Sequence, residues 1–195
     1  MTAPGDESPG LGPASRPAPR PKRGPTRRLF FALWPDADTR AALAAATRKA
    51  VRRSGGRPMP SDNFHVTLAF LGNQPAALFD EIVLAGAAVP MRPLELVLDR
   101  FGYFARPRVF WLGPGGATAE LARLAAGIWD CIEPLGIARD TRAFKAHVTL
   151  ARKVARLPEV PPPAPVVWRA SGFSLVESVT AQEGARYRVA KTFPH

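Results

Sequence analysis

The sequence predicts an α+β fold of two lobes related by a pseudo-twofold axis, each an antiparallel sheet flanked by helices, with a cleft between them. Three observations carry this. One pentapeptide occurs twice, as His65-Val66-Thr67-Leu68-Ala69 and His147-Val148-Thr149-Leu150-Ala151, and the two copies hold all but one of the histidines. The order strand, helix, loop, strand leads into each copy, and 29 positions separate Asp36 from His65 as they do Thr118 from His147. That shared register is a duplication signal. The remaining strands come in runs with few parallel crossovers, which favours antiparallel sheets.

Residues 1–26 are dense in Pro, Gly, Ser and Arg and cannot bury enough apolar surface to fold, so a disordered tail is expected ahead of one domain over 27–195. Arg16, Arg20, Lys22 and Arg23 suit either an electrostatic tether for RNA or an inert extension. Arg28–Trp34 is a short apolar run ended by Pro35, as a buried strand requires. Asp36 then caps a helix to about Arg53: Leu43, Thr47, Ala50 and Val51 fall at helical spacing, and Arg52 and Arg53 offset the dipole at its end. Ser54-Gly55-Gly56 stops it. The first pentapeptide strand is expected to end at Leu71-Gly72, and a helix to run from Pro75 to about Val89 on Leu78, Ile82, Val83, Ala85 and Val89.

Leu94–Leu98 and Arg108–Leu112 follow as strands, joined through Phe101–Phe104. Thr118 caps a helix carrying Leu121, Leu124, Ala125, Ile128 and Ile132, which Gly136 ends. The lone Cys131 falls in this helix as a buried structural thiol. After the second pentapeptide come a proline-rich spacer over 158–165 and strands over 166–176 and 186–193.

The chain of 195 residues carries 27 Lys and Arg against 16 acidic residues, a net charge of +11. Six basic and two acidic residues lie in 1–28, so the folded part is itself basic. Such a balance favours polyanionic partners, RNA or phosphorylated metabolites, although solubility alone also explains it. No apolar run approaches a membrane span, and the N-terminus shows no apolar signal core, so a cytoplasmic location is expected.

On a strand, side chains alternate faces, so His and Thr of each copy point one way and Val and Leu the other. His65, Thr67 and Ala69 are expected to line the cleft while Phe64, Val66, Leu68 and Phe70 are buried, and copy two repeats this with His147, Thr149 and Ala151. Imidazole titrates near neutrality, so two across a cleft supply one base and one acid at the same pH, as displacement at phosphorus needs. Thr67 and Thr149 reach the non-bridging oxygens, and Arg152 adds a fixed charge. Zinc is the competing chemistry, but two histidines need a third ligand and no carboxylate stands at ligand spacing near either copy. Neither metal nor cofactor is expected.

The stretches Asn63–Gly72 and Arg142–Arg152, with their paired His-x-Thr-Leu motifs, resemble the 2H phosphoesterases, and more closely their RNA 2',3'-cyclic phosphodiesterase branch, also called 2'-5' RNA ligase. Arg28–Pro35, Pro107–Gly113 and Phe173–Ser178 fit as well. The resemblance implies a bilobal α+β fold with the cleft as active site. It also implies metal-free hydrolysis of RNA 2',3'-cyclic phosphate ends to 2'-phosphomonoesters, and in some members 2'-5' joining. By motif position His65 resembles the proton donor to the leaving 3' oxygen and His147 the acceptor of the proton of water, with Thr67, Thr149 and Arg152 on the phosphate.

Ala143 and Ala146 depart from the prolines expected before the second motif. Phe144 suits stacking on a terminal base or packing as a core aromatic. Arg142 and Lys145 suit substrate phosphates or a solvated face. Trp34 and Tyr103 suit the core before the cleft, and the terminal His195 is set aside. The partner expected is RNA with a 2',3'-cyclic phosphate end, bound by a monomer and away from any membrane. Ligation, turnover of small cyclic nucleotides, and an RNA-binding module without significant catalysis are the alternatives.

Overall fold

The computed structural model describes residues 24–181 and 184–194. The tail over 1–23 with its tether arginines, and His195, lie outside the described residues. β1 (Thr26–Leu33) leads through Asp36 into α1 (Ala37–Arg53), and the Asp36 carboxylate accepts from the Thr39 amide at 2.7 Å as an N-cap. The short strand β2 (Arg57–Pro58) and a single 3-10 turn at Ser61–Asn63 precede β3 (Val66–Pro75). Then come α2 (Phe79–Ala87), β4 (Leu94–Phe104), β5 (Val109–Pro114), α3 (Ala119–Ile132), β6 (Val148–Arg152), β7 (Val166–Ala170), β8 (Gly172–Ala181) and β9 (Gly184–Pro194).

Among the described residues these strands form one sheet in the order β7-β4-β5-β6-β3-β1-β8-β9, with β2 against β6. Its halves, β3-β1-β8-β9 and β6-β5-β4-β7, are the two expected lobes, and all their pairings are antiparallel. They meet through one residue pair, Val66 with Val148. Beyond it β3 leaves β6, and β2 takes the vacated edge by pairing Arg57 with Arg152 and Pro58 with Ala151. The seam is therefore splayed, which opens the cleft.

The helices cover one face. α1 leaves β1 in the first half yet lies under β6 and β7 of the second, while α3 leaves β5 and lies under β3 of the first. The halves are thereby interleaved around one core, in which Phe31, Leu33, Leu43, Val66, Leu112, Ile128, Val148 and Trp168 are almost fully buried.

Several expected elements differ. Phe101–Phe104 is not a connection: β4 runs through it, pairing Phe101 with Leu112 and Phe104 with Val109, because its aromatic side chains pack along β5. The strand expected over 166–176 is two, broken at Ser171, since β7 pairs with β4 and β8 with β1 at opposite ends of the sheet. β3 extends to Pro75, and the helix begins only at Phe79, after a 3-10 turn. Thr118 stands at the cap position of α3, but its side chain makes no capping hydrogen bond. Cys131 is only partly buried, packed against the core from α3.

Candidate active site

Strict alternation fails inside both pentapeptides, at the same place. Phe31 pairs with Ala69 and Ala32 with Thr67, so Leu68 is an extra residue on β3; Phe110 pairs with Ala151 and Trp111 with Thr149, so Leu150 is an extra residue on β6. Each is a β-bulge, which advances the phase of the following side chains by one. Ala69 and Ala151 therefore turn into the core, 2% and 0% exposed, and do not line the cleft as expected. Phe70, expected in the core, is 40% exposed on the cleft face. Arg152 arrives on that face for the same reason. Phe70 and Arg152 are counterparts, each five residues after its histidine.

The seam fixes the rest. The antiparallel Val66–Val148 pair brings the two His-x-Thr stretches alongside each other at the seam. His65, Thr67, His147, Thr149 and Arg152 line one cleft of about 500 Å³, together with Arg28, Phe30, Met59, Tyr187 and others. A second compartment of about 620 Å³ shares Thr67, Phe70, His147, Thr149 and Arg152 with it and continues past Phe104, Phe144 and Lys145. Arg142 and Phe144 belong to this second compartment and not to the wall that holds His65. The Arg142 guanidinium is held by Asp140 at 2.5 Å, and Phe144 packs on the core while lining the compartment.

Both imidazoles are oriented alike. Nδ1 of His65 lies 2.7 Å from the Asn63 carbonyl and Nδ1 of His147 lies 2.7 Å from the Lys145 carbonyl. A carbonyl only accepts, so Nδ1 carries the hydrogen and Nε2 of each neutral ring is the free base. The Thr67 hydroxyl donates to Nε2 of His65 at 3.0 Å. Trp34 stacks on the His65 ring at 5.6 Å, Phe30 lies 4.9 Å from it and Tyr187 meets it edge-on at 5.2 Å. Phe104 meets His147 edge-on at 5.0 Å. Trp34 thus backs the His65 ring from the small core cluster of Phe30, Ala32 and Val176. Tyr103 instead donates to the Val154 and Ala155 carbonyls and is structural.

Burial among these rings pushes the His65 pKa down to about 4, with the charges of His147 and Arg152 acting in the same direction and the Asn63 carbonyl bond opposing them. His147 is lowered too, first by burial and then by Lys145 and Arg152. A histidine whose folded pKa lies below its unfolded value of 6.5 stabilises the fold in its neutral form. That contribution is complete above pH 6.5 and is lost as pH falls towards about 4. Chemical denaturation between those limits should show a decline of which roughly 3 kcal/mol belongs to His65 and disappears in His65→Asn, which keeps a donor for the Asn63 carbonyl, while the decline due to His147 remains. A decline unchanged in the variant contradicts the assignment. Glu177, held near 2 by hydrogen bonds from Arg27 and Arg188, makes its own contribution in a lower window, below 4.5.

Among the described residues no three His, Cys, Asp or Glu side chains are grouped so as to hold a metal ion, and no helix is long and apolar enough to cross a membrane. Several cleft residues were not singled out from the sequence: Arg28, Phe30, Arg57, Met59, Phe104 and Tyr187. For Phe70 the offset of five shared with Arg152 was an available signal; for Tyr187 none was, because β9 reaches the cleft only through its pairing with β8.

Residues 33–111 match the family model described as LigT like Phosphoesterase. The chain is 34% identical over 178 residues to an RNA 2',3'-cyclic phosphodiesterase of Thermus thermophilus, a match covering 85% of this chain and 89% of that protein. It is 31% identical over 167 residues to the enzyme of that name from Escherichia coli, covering 85% and 94%. The crystal structure of Escherichia coli LigT complexed with 3'-AMP superposes with a TM-score of 0.80 at 30% identity, over 87% of this chain and 98% of that one. With the duplicated motifs meeting at one splayed seam, and relatives matched along most of their length, the chain belongs to the LigT-like phosphoesterase family.

Proposed function

We propose that the protein hydrolyses 2',3'-cyclic phosphate ends of RNA to 2'-phosphomonoesters by general acid-base catalysis between His65 and His147, with no metal. The observation that carries this reading is the convergence of both His-x-Thr pairs on one cleft, at the seam that the Val66–Val148 pair closes. The relatives that the chain matches over most of their length are named RNA 2',3'-cyclic phosphodiesterases.

In this scheme Nε2 of neutral His147 takes a proton from water as its oxygen attacks phosphorus. The P–O3' bond breaks, and Nε2–H of protonated His65 donates to the departing 3' oxygen, leaving the phosphate on the 2' oxygen. Thr67, Thr149 and the Arg152 guanidinium hold the non-bridging oxygens as negative charge accumulates. His65 is a weak base in the empty cleft, held neutral by burial and by nearby cations. A phosphodiester anion seated between the histidines opposes those cations and raises the affinity of His65 for its proton. The acid is thus charged as the substrate binds. Phe144 offers its ring to the terminal base in the second compartment, with Arg142 at the rim of that compartment.

The test is incubation with a 2',3'-cyclic-ended oligonucleotide in the presence of a chelator, followed by identification of the product end. The expected product carries a 2'-phosphate and a free 3' hydroxyl, at a rate the chelator leaves unchanged. A 3'-phosphate product, abolition by the chelator, or tight RNA binding without any product overturns the proposal.

A further inference from the structure

Arg152 and Phe70 occupy equivalent positions after the two bulges, yet one is a cation and the other a ring. On the Phe70 side a cation is supplied from the next strand: the Arg28 guanidinium lies 4.8 Å over the Phe70 ring. Such a contact orients an arginine while leaving its N–H groups available to an anion. Phe70 lines both compartments of the cleft, and Arg28 over it lines the first. Along β1, Arg28 is four residues from Ala32, the partner of Thr67, which places it roughly 13 Å from the level of the reacting groups. The cleft does not end there. Arg28 and Ser178 also line a further depression of about 400 Å³, with Thr26, Arg27, Asn73, Glu177 and Val179. Its one carboxylate, Glu177, is bound by Arg27 at 2.8 and 3.0 Å and by Arg188 at 2.8 Å.

We infer that Arg28, held over Phe70, is a second phosphate contact that reads the internucleotide phosphate on the 5' side of the terminal ribose, so that the enzyme selects polynucleotide ends over cyclic mononucleotides. This rests on the hydrolase reading above. With the cyclic phosphate fixed between His65 and His147, Arg28 and the polar depression beyond it offer the strand a cationic path out of the first compartment.

The experiment compares kcat/KM on a 2',3'-cyclic-ended dinucleotide and on a 2',3'-cyclic mononucleotide without a 5' phosphate, for the wild type, Arg28→Ala, Arg28→Lys and the helix-face control Arg48→Ala. The wild type should prefer the dinucleotide by about tenfold or more, and Arg28→Ala should remove about tenfold of that preference through KM, with Arg28→Lys between them. The salt dependence on the dinucleotide should become shallower by about 0.7 in logarithmic slope in Arg28→Ala. Arg48→Ala should match the wild type throughout. Equal loss on both substrates in Arg28→Ala, or an undiminished preference, overturns the inference while leaving the hydrolase reading intact. Absence of turnover of either substrate by the wild type overturns both.

Discussion

Replacing His65 or His147 with alanine should lower the hydrolysis of a 2',3'-cyclic-ended RNA by about 10²- to 10⁴-fold in kcat, and the double variant should lose little beyond the worse single one. The size follows from the proposed roles: with each imidazole moving one proton in the same transition state, removing either forfeits the concerted path. Neither change should unfold the protein, because both rings line the cleft while the adjoining Val66 and Val148 hold the seam. The wild-type rate should follow a bell against pH. Its alkaline limb reports the acid, and burial holds that group near 4 in the empty cleft. An anionic substrate raises it, so the alkaline limb of kcat must lie at higher pH than that of kcat/KM. Steady-state profiles for both parameters check this, and coincident limbs contradict the charging of His65 by the substrate.

Substituting Gly102 with alanine should destabilise the fold by about 1–3 kcal/mol, measured by chemical denaturation. Gly102 pairs with Trp111 across β4 and β5, and a Cβ there would lie 1.9 Å from Cζ2 and 2.2 Å from Cη2 of that indole. The ring has little room to yield. Phe104 lies 5.3 Å from it, the Lys145 ammonium sits 4.8 Å over its face, and the His147 ring is 6.2 Å away. Displacing the indole therefore also disturbs the base, and kcat should fall along with stability. Gly116→Ala, with nothing within 4 Å of its added Cβ, is the neutral control. Adding Trp111→Phe to Gly102→Ala should recover part of the loss, since the smaller ring clears the new methyl; strict additivity of the two changes would contradict the steric account.

The duplication was legible because it is written locally. The pentapeptide repeats, the residues preceding α1 and α3 stand at equal distances from the histidines, and α1 runs from Ala37 to Arg53 as the Asp36 cap and the basic end require. The faces of β3 and β6 were legible only as far as the bulges. Alternation places His65, Thr67, His147 and Thr149 together, but an extra residue at Leu68 and at Leu150 is imposed by the pairing with β1 and β5, and it turned Ala69 inward and Phe70 outward. What came from distant strands was not legible at all. Arg28, Phe104 and Tyr187 look like ordinary strand residues until the sheet order sets them around the cleft. The break at Ser171 belongs to the same class, since a chain that switches between opposite ends of one sheet gives no local sign of doing so.

The central claim is that His65 protonates the departing 3' oxygen while His147 activates water. Single-turnover cleavage of a substrate whose cyclic phosphate carries sulfur in place of the bridging 3' oxygen tests this directly, because a thiolate departs without needing a proton. His65→Ala should approach the wild-type rate on the sulfur substrate while His147→Ala stays slow. Rescue of His147→Ala instead, or of neither variant, would contradict the assignment of acid and base.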